Sequence, residues 1–368
     1  MNSGSDSPST LSPPRAGATR PAPCYSTGPE ICRGPRGARP GAGEGRARGA
    51  VGRAAPRSSG GEYPAPAARG AGASARGAAA APPPGGGESV HERGWSEIFP
   101  YPVQGRRPKP REQGLTMVID KGLGLRATQD LLEMAADAID VIKLAFGTPV
   151  LYPAERLREK VHLIQSYGIP AYPGGTLLEV AVVQGRFQDF LDEAERIGFR
   201  RLEVSDGTIP MTPDVRAEII RLCRERGFEV VSEVGKKHPA DRVPSTNLVE
   251  QVAADLEAGA SHVIIEGRES GKGVVIYQED GSIDDDELEY ITRHVPDLSR
   301  LIWEAPLKSQ QQDLILRFGP NVNLGNVHPE DVLACEALRV GLRGDTLRDA
   351  LLRHPERFPF PYLLEREG

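Results

Sequence analysis

Short apolar runs alternate with longer amphipathic segments along most of this chain, from Arg111 onward. From Asp120 to Asn323 the chain spans 203 residues and seven repeats, or 29 residues per repeat. Strict alternation of strand and helix means that the strands run parallel. Eight apolar runs predict the strands: LTMVID (115–120), VIKLAF (141–146), PAYPGG (170–175), RLEVSDG (201–207), EVVSEVG (229–235), HVIIEG (262–267), LIWEAP (301–306) and VNLGNV (322–327).

Eight amphipathic segments with apolar residues three and four apart predict the helices. Several end at a glycine, the residue preferred just beyond a helix C-terminus. Eight such units in about 250 residues predict a (β/α)8 TIM barrel over 106–350, with a C-terminal extension over 351–368. A doubly wound open sheet is the alternative. No GxGxxG follows the first strand and no Walker A motif occurs, which disfavours a nucleotide-binding version of that sheet.

Gly, Pro, Ala and Arg make up 62 of the first 90 residues, which contain only four residues from Leu, Ile, Val and Phe. Such a segment cannot bury enough apolar surface to fold, so we predict a disordered tail over 1–105. Three interpretations of the tail stay open. It is a linker or interaction arm, an organelle transit peptide, or a stretch outside the natural protein, added by a start codon assigned too far upstream in GC-rich DNA.

Charge and composition exclude several classes of partner. Residues 1–90 carry a net charge of +6 and the remainder −12, and an acidic folded part disfavours nucleic acid as a partner. No window approaches the roughly 18–20 apolar residues of a membrane span, and the N-terminus lacks the apolar core of a secretory signal. The four cysteines form no disulfide framework. We therefore expect a cytoplasmic protein without a membrane partner.

Five charged residues interrupt the predicted strands toward their C-terminal halves: Lys143, Glu203, Glu233, Glu266 and Glu304. Strands buried on both faces are normally almost entirely apolar, and burying a bare carboxylate is costly. In a barrel such residues can lie in the lumen near the C-terminal mouth, where active sites of this fold are built. For any single residue, a structural salt bridge in the lumen is the alternative.

The residue types around these strand ends predict a cation and an anionic ligand. Several carboxylates without His or Cys nearby suit a hard cation such as Mg²⁺ rather than zinc. The segment GRESGKG (267–273) places small residues beside Arg and Lys, so that backbone N–H groups and positive side chains can approach an anion. A locally basic pocket in an acidic protein fits a small metabolite with more than one anionic group.

Eight collinear segments resemble the phosphosulfolactate synthase family, whose archaeal members catalyse the first step of coenzyme M biosynthesis. The resemblance covers roughly residues 111–348. It rests on the eight segments together, because no single segment is specific for the family. The matching segments are DKGL (120–123), YPGGTL (172–177), VSDG (204–207), SEVGKK (232–237), VIIEGRESGKG (263–273), EAPLKSQQ (304–311), VNLGN (322–326) and GLRGDT (341–346).

The resemblance implies a Mg²⁺-dependent barrel enzyme that adds sulfite to phosphoenolpyruvate and gives (2R)-2-phospho-3-sulfolactate. It also implies a homo-oligomer, since family members of this barrel type often associate. Mg²⁺ would hold the substrate carboxylate and stabilise an enolate-like transition state. The family's proposed acid is a lysine in the GKK run that matches Lys237, with Lys236 as its rival. Among cations, we expect this lysine to have a lowered pKa.

The strand-end positions give the remaining site predictions. The metal candidates are Asp206, Glu233 and Glu266, with Glu203 and Glu304 close behind. The substrate-binding candidates are Lys121, Gly174, Gly175, Arg268, Ser270, Gly271, Lys272, Lys308, Asn323, Asn326 and Arg343.

Two other functions stay open. One is a non-catalytic or diverged barrel, because the family has plant relatives associated with heat stress. The other is a Schiff-base aldolase that uses Lys143 or Lys236 as its nucleophile.

Overall fold

The computed structural model describes residues 94–238 and 243–358, which contain eight parallel strands. Each strand falls within one predicted apolar run, and hydrogen-bonded neighbours follow the order β3-β2-β1-β8-β7-β6-β5-β4. The two ends of this sheet, β3 and β4, lie side by side, so the barrel is nearly closed and the predicted TIM barrel is confirmed. The strands are β1 (Thr116–Asp120), β2 (Val141–Leu144), β3 (Ala171–Pro173), β4 (Arg201–Ser205), β5 (Glu229–Val234), β6 (His262–Ile265), β7 (Leu301–Glu304) and β8 (Leu324–Val327).

Each predicted amphipathic segment overlaps one helix, and the described residues add three helices that the pattern did not predict, α1, α4 and α11. Because α4 reads GTLLEVAVV and is apolar on nearly every side, it lacks the periodicity of an amphipathic helix. The helices are α1 (Trp95–Ile98), α2 (Leu125–Ala135), α3 (Ala154–Ser166), α4 (Gly175–Val183), α5 (Phe187–Ile197), α6 (Pro213–Glu225), α7 (Ser245–Ala258), α8 (Asp285–His294), α9 (Lys308–Phe318), α10 (Val332–Arg339) and α11 (Gly344–Arg353).

Apolar side chains fill one level of the barrel lumen, and charged side chains fill the next level toward the strand C-termini. The apolar level is a cluster that includes Val141, Val231, Ile264 and Ile302. Successive inward-facing residues of a strand are two positions apart. The next inward positions are therefore those of the predicted charged residues Lys143, Glu233, Glu266 and Glu304. The alternation of each strand thus places these charges together at the carboxyl end of the barrel.

The ends of the predicted domains lie partly outside the described residues. Residues 1–93 of the predicted tail are outside them, as are residues 359–368 of the predicted extension. Within the described part, the Val103 N–H donates to the Val340 carbonyl at 3.1 Å, so contacts with the barrel begin before residue 106. Helix α11 runs to Arg353. No helix in the described ranges is long and apolar enough to cross a membrane.

Candidate active site

A cavity of about 320 Å³ opens at the carboxyl end of the strands. Its walls come from the charged lumen residues and from the segments that follow β2, β3, β5 and β6. This is the end of a TIM barrel at which active sites are built. The lining residues are Ile119, Lys143, Ala145, Phe146, Gly174, Gly175, Thr176, Glu203, Glu233, Lys237, Glu266, Arg268, Glu269, Ser270, Glu304 and Asn326.

Lys143 lies at the centre of the charged level. Its Nζ is 3.0 Å from Oε2 of Glu203, 2.8 Å from Oε2 of Glu233 and 3.2 Å from Oε1 of Glu304. All four side chains are buried. Burial lowers the pKa of Lys143, but the three carboxylates outweigh burial and raise it well above its usual value. Lys143 is therefore an ammonium group.

Lys237 reaches the same level from the end of β5. Its Nζ is 3.0 Å from Oε1 of Glu233 and 3.7 Å from Oε2 of Glu266, and it donates to Oγ1 of Thr176 at 3.2 Å. Burial lowers the pKa of Lys237, but the carboxylates of Glu233 and Glu266 raise it by more. The expectation of a lowered pKa is therefore wrong for this state, because the nearest charges are carboxylates and not cations.

The pKa values of three buried glutamates, Glu203, Glu233 and Glu266, are shifted in different directions. Burial raises the pKa of Glu203 to about 7 although Lys143 opposes it. Burial and the nearby carboxylates of Glu233 and Glu304 raise the pKa of Glu266 well above its usual value. Burial also acts on Glu233, but Lys143 and Lys237 hold its pKa well below the usual value. Glu203 and Glu266 therefore bind a proton more readily than a free carboxyl group does, whereas Glu233 binds one less readily.

The donor set fits one divalent cation. Carboxylate oxygens of Glu233, Glu266 and Glu304 lie within 4.8 Å of one another, and all three residues are buried. When Glu203 and the three cluster glutamates are all ionised, as they would be around a divalent cation, four carboxylates face two ammonium groups, which leaves two negative charges uncompensated within this cluster. One Mg²⁺ would balance that charge, and carboxylate oxygens are the ligands it prefers. Glu233 and Glu266 were predicted as metal ligands; Glu304 was ranked behind Asp206.

Asp206 and Lys236 are not among the residues that line the cavity. Lys236 Nζ contacts Oδ2 of Asp206 at 2.6 Å, and Arg216 donates to Oδ1 of Asp206 at 2.8 Å. Asp206 therefore forms ion pairs outside the cavity, and it does not belong to the group of converging carboxylates Glu233, Glu266 and Glu304. Neither the predicted metal role of Asp206 nor the catalytic role of Lys236 receives support from this arrangement.

The segment after β6 brings Arg268, Glu269 and Ser270 to the cavity. The Arg268 N–H donates to Oε1 of Glu266 at 2.6 Å, and Arg268 has a left-handed backbone with φ 59°. Lys121, a predicted substrate-binding residue, contacts Oε1 of Glu269 at 2.6 Å, and the two side chains are 38% and 45% exposed. Lys121 therefore lies beside the mouth of the cavity, where it neutralises a carboxylate.

The two predicted glycines at the cavity pack closely against neighbouring residues, which leaves little room for a side chain. Gly174 lies against Lys143 and the backbone of Phe146, and its N–H donates to the Leu144 carbonyl at 2.9 Å. A Cβ on Gly175 would collide with Oγ of Ser205, and the Gly175 N–H donates to Oε1 of Glu203 at 2.6 Å. Gly175 therefore supports Glu203 directly.

Four other substrate-binding candidates are not among the lining residues: Gly271, Lys272, Lys308 and Arg343. Gly271 anchors the segment after β6, since its carbonyl accepts a hydrogen bond from Gln310 at 2.7 Å. Lys272 is exposed, Lys308 pairs with Asp345 at 2.5 Å, and Arg343 precedes α11.

Asn326 and Asn323 have different environments despite being three residues apart. Asn326 is buried at the cavity with φ 52°, and its Oδ1 has no hydrogen-bond partner among the described residues. Asn323 precedes β8, at the opposite end of the barrel. Its Oδ1 accepts from the N–H groups of Gly114 and Leu115 at 2.8 and 2.9 Å. The predicted substrate-binding role of Asn323 is therefore corrected to a structural one.

The sequence analysis did not name five of the lining residues as site candidates: Ile119, Ala145, Phe146, Thr176 and Glu269. Thr176 follows the Gly174–Gly175 pair at the start of α4, so recognition of that helix would have indicated it. Phe146 has a left-handed backbone with φ 56°, for which its sequence neighbours give no signal.

A family model and three known proteins that are similar to this chain all indicate the same family. The family model described as (2R)-phospho-3-sulfolactate synthase (ComA) matches residues 104–345. A phosphosulfolactate synthase from Methanothermobacter thermautotrophicus is 45% identical over 251 residues, which cover 68% of this chain and 97% of that protein. The phosphosulfolactate synthase from Methanocaldococcus jannaschii is 42% identical over 64% of this chain and 94% of its own length. The one from Bacillus subtilis is 39% identical over 67% and 98%.

Proposed function

The chain belongs to the (2R)-phospho-3-sulfolactate synthase family, an enzyme family, and we propose that it adds sulfite to phosphoenolpyruvate to form (2R)-2-phospho-3-sulfolactate. In this reaction the sulfur lone pair of sulfite forms a C–S bond at C3 of phosphoenolpyruvate. The carbon–carbon double bond is lost, and C2 gains a proton. The phosphate ester is retained, so no other product forms.

The observation that carries the proposal is the juxtaposition of Lys237 with Glu233 and Glu266 in one cavity. We infer that Glu233, Glu266 and Glu304 hold Mg²⁺. When bound, Mg²⁺ would supply positive charge that binds the substrate carboxylate and stabilises enolate charge. We assign the binding of the anionic substrates to two positively charged side chains, Arg268 and Lys237. Such side chains form charge-assisted hydrogen bonds with phosphate and sulfonate oxygens.

Lys237 is our candidate for the proton donor to C2. It is an ammonium group at the wall of the cavity, next to the carboxylates that we assign to the cation. Carboxylates that share their charge with a cation would hold the Lys237 proton less strongly. The pKa of Lys237 would then move down toward the working pH, as an efficient general acid requires.

The contacts of Lys143 and Lys236 disfavour a Schiff-base aldolase. Such an enzyme needs a neutral amine to attack a carbonyl carbon. Lys143 contacts three carboxylates, and Lys236 contacts Asp206 outside the cavity. If borohydride trapped a carbonyl substrate on either lysine, this interpretation would be contradicted.

The test is phosphoenolpyruvate consumption by the full chain, measured with and without Mg²⁺ and with and without sulfite. We expect phosphoenolpyruvate consumption only when Mg²⁺ and sulfite are both present. The matched variant Glu266→Gln should require more Mg²⁺ for half-maximal rate. Phosphoenolpyruvate binding without any turnover would instead support a non-catalytic barrel.

A further inference from the structure

Lys143 contacts three carboxylates, whereas a single ion pair would involve only one. Strands β4, β5 and β7 each contribute one glutamate oxygen, at 2.8–3.2 Å from its Nζ. The lysine side chain is 7% exposed, and the three glutamates are 0–1% exposed. The ammonium group therefore occupies a point at which three buried carboxylates converge.

The three carboxylate oxygens around Nζ of Lys143 form a shell. The size of this shell determines which kind of cation can occupy it. Mg²⁺ lies about 2.0–2.1 Å and Ca²⁺ about 2.3–2.6 Å from its oxygen ligands. The three oxygens around Nζ are farther away than either. They match an ammonium ion, and potassium is a monovalent ion of similar size. The shell is thus the coordination sphere of a large monovalent cation, with a covalently attached ammonium group at its centre.

Two of these carboxylates also belong to the cluster that suits a divalent cation. Glu233 directs Oε2 to Lys143 and Oε1 to Lys237. Glu304 directs Oε1 to Lys143, while its Oε2 accepts from the Gly267 N–H at 2.9 Å. Without a positive charge at this point, Glu203, Glu233 and Glu304 would repel one another and change rotamer or bind protons. The orientation of both cluster residues therefore depends on Lys143.

We propose that Lys143 is a positioning residue that serves as a built-in monovalent counter-ion and fixes Glu233 and Glu304 in the orientation that binds the divalent cation. This inference rests on the proposed function, in which these glutamates hold the cation. It assigns Lys143 neither a nucleophilic nor a proton-transfer role. A free monovalent cation of the right size should therefore replace its side chain.

The test measures Mn²⁺ binding by calorimetry for the full-length wild type and Lys143→Ala, in tetramethylammonium chloride and after exchange into potassium chloride or ammonium chloride. Wild-type affinity should not depend on the monovalent ion. Lys143→Ala should lose at least about tenfold in affinity in tetramethylammonium, which is too large for the shell, and recover most of it in potassium or ammonium. Since potassium carries no proton, recovery in potassium separates a fixed charge from a proton donor. Undiminished binding by the variant, or a loss that neither ion restores, would overturn the inference.

A charge-balanced variant keeps the test decisive if Lys143→Ala does not fold. Lys143→Met/Glu203→Gln removes one charge of each sign and fills the space of the lysine stem. It should fold, bind Mn²⁺ at least about tenfold more weakly than wild type and show no recovery in potassium. Wild-type-like binding would overturn the inference. If the wild type itself bound no Mn²⁺, the proposed metal site would fail first, so the two failures are distinguishable.

Discussion

The ammonium group of Lys237 lies 3.0 Å from Oε1 of Glu233. The other oxygen of that carboxylate contacts Lys143 at 2.8 Å. One buried glutamate therefore links a half-exposed lysine at the cavity wall to a lysine enclosed within the lumen. Although the two lysines carry equal charge, we propose different tasks for them: proton donation for Lys237 and positioning of carboxylates for Lys143.

Replacement of Lys237 tests its assignment as the proton donor. Lys237→Ala should lower kcat by about 10²–10⁴-fold, the range typical of general acid catalysis. The neighbouring variant Lys236→Ala is the matched control. It breaks a contact with Asp206 outside the cavity, so it should lower kcat by less than about tenfold while it lowers the thermal midpoint. Steady-state kinetics and thermal unfolding of both variants check this, and equal kcat losses would contradict the assignment.

Loss of a carboxylate from the proposed metal cluster should weaken divalent cation binding. Glu266→Gln should raise the Kd for Mn²⁺ by at least about tenfold, equivalent to ~1.4 kcal/mol. Asp206→Asn is the comparison, because Asp206 lies outside the cavity and outside the group of converging carboxylates, and its Kd should stay within about threefold of wild type. Calorimetric titration gives both constants. The reverse order of effects would return Asp206 to the metal site.

Arg268 offers the clearest prediction for substrate affinity. Its guanidinium group belongs to a residue that lines the cavity, and its N–H is held by Glu266. Arg268→Ala should raise KM for phosphoenolpyruvate or sulfite by about 10–100-fold, since hydrogen bonds to charged groups contribute about 1.5–3 kcal/mol. Arg293→Ala, on the exposed face of α8, is the control and should leave both KM values unchanged. Unchanged KM values for Arg268→Ala would exclude it from anion binding.

Sequence periodicity predicted the barrel, and it placed Lys143 and the buried glutamates at one level because inward positions recur every second residue. Periodicity could not show that Asn323 and Asn326 have different environments, because this depends on where β8 begins. The strand begins at Leu324, so Asn323 precedes it and Asn326 lies within it. Periodicity also could not show that Asp206 is neutralised, since Arg216 comes from a neighbouring helix. Contacts between elements, rather than local pattern, decide these roles.

Asn323→Ala should therefore act on stability and not on substrate binding. Its side chain also donates to the carbonyls of Ser299 and Leu301, so the substitution leaves several buried backbone groups without partners. We expect a loss of about 2–4 kcal/mol in the free energy of unfolding, since each unsatisfied buried group costs about 1–3 kcal/mol. Urea denaturation measures this. A stable variant with a raised KM would support the original substrate-binding hypothesis.

The pH dependence of stability should include a contribution from His262 on β6. Burial, with the charges of Arg201 and Arg300, lowers the pKa of His262 below its usual value near 6.5. The unfolded chain therefore binds this proton more readily than the folded chain. The contribution to stability is complete above pH 6.5 and is lost as the pH falls toward the lowered pKa, with a slope of at most about 1.4 kcal/mol per pH unit. Unfolding of wild type and His262→Gln between pH 7.5 and 5 should show a shallower decline for the variant; parallel declines would exclude His262 as the source.

The most direct test of the central claim is the mass of the product formed from phosphoenolpyruvate and sulfite by the full chain with Mg²⁺. The account predicts one product that contains both the phosphate of phosphoenolpyruvate and the sulfur of sulfite, with no release of inorganic phosphate. Phosphoenolpyruvate consumption that is independent of sulfite, or no consumption by a chain that binds Mn²⁺ and retains its fold, would contradict it.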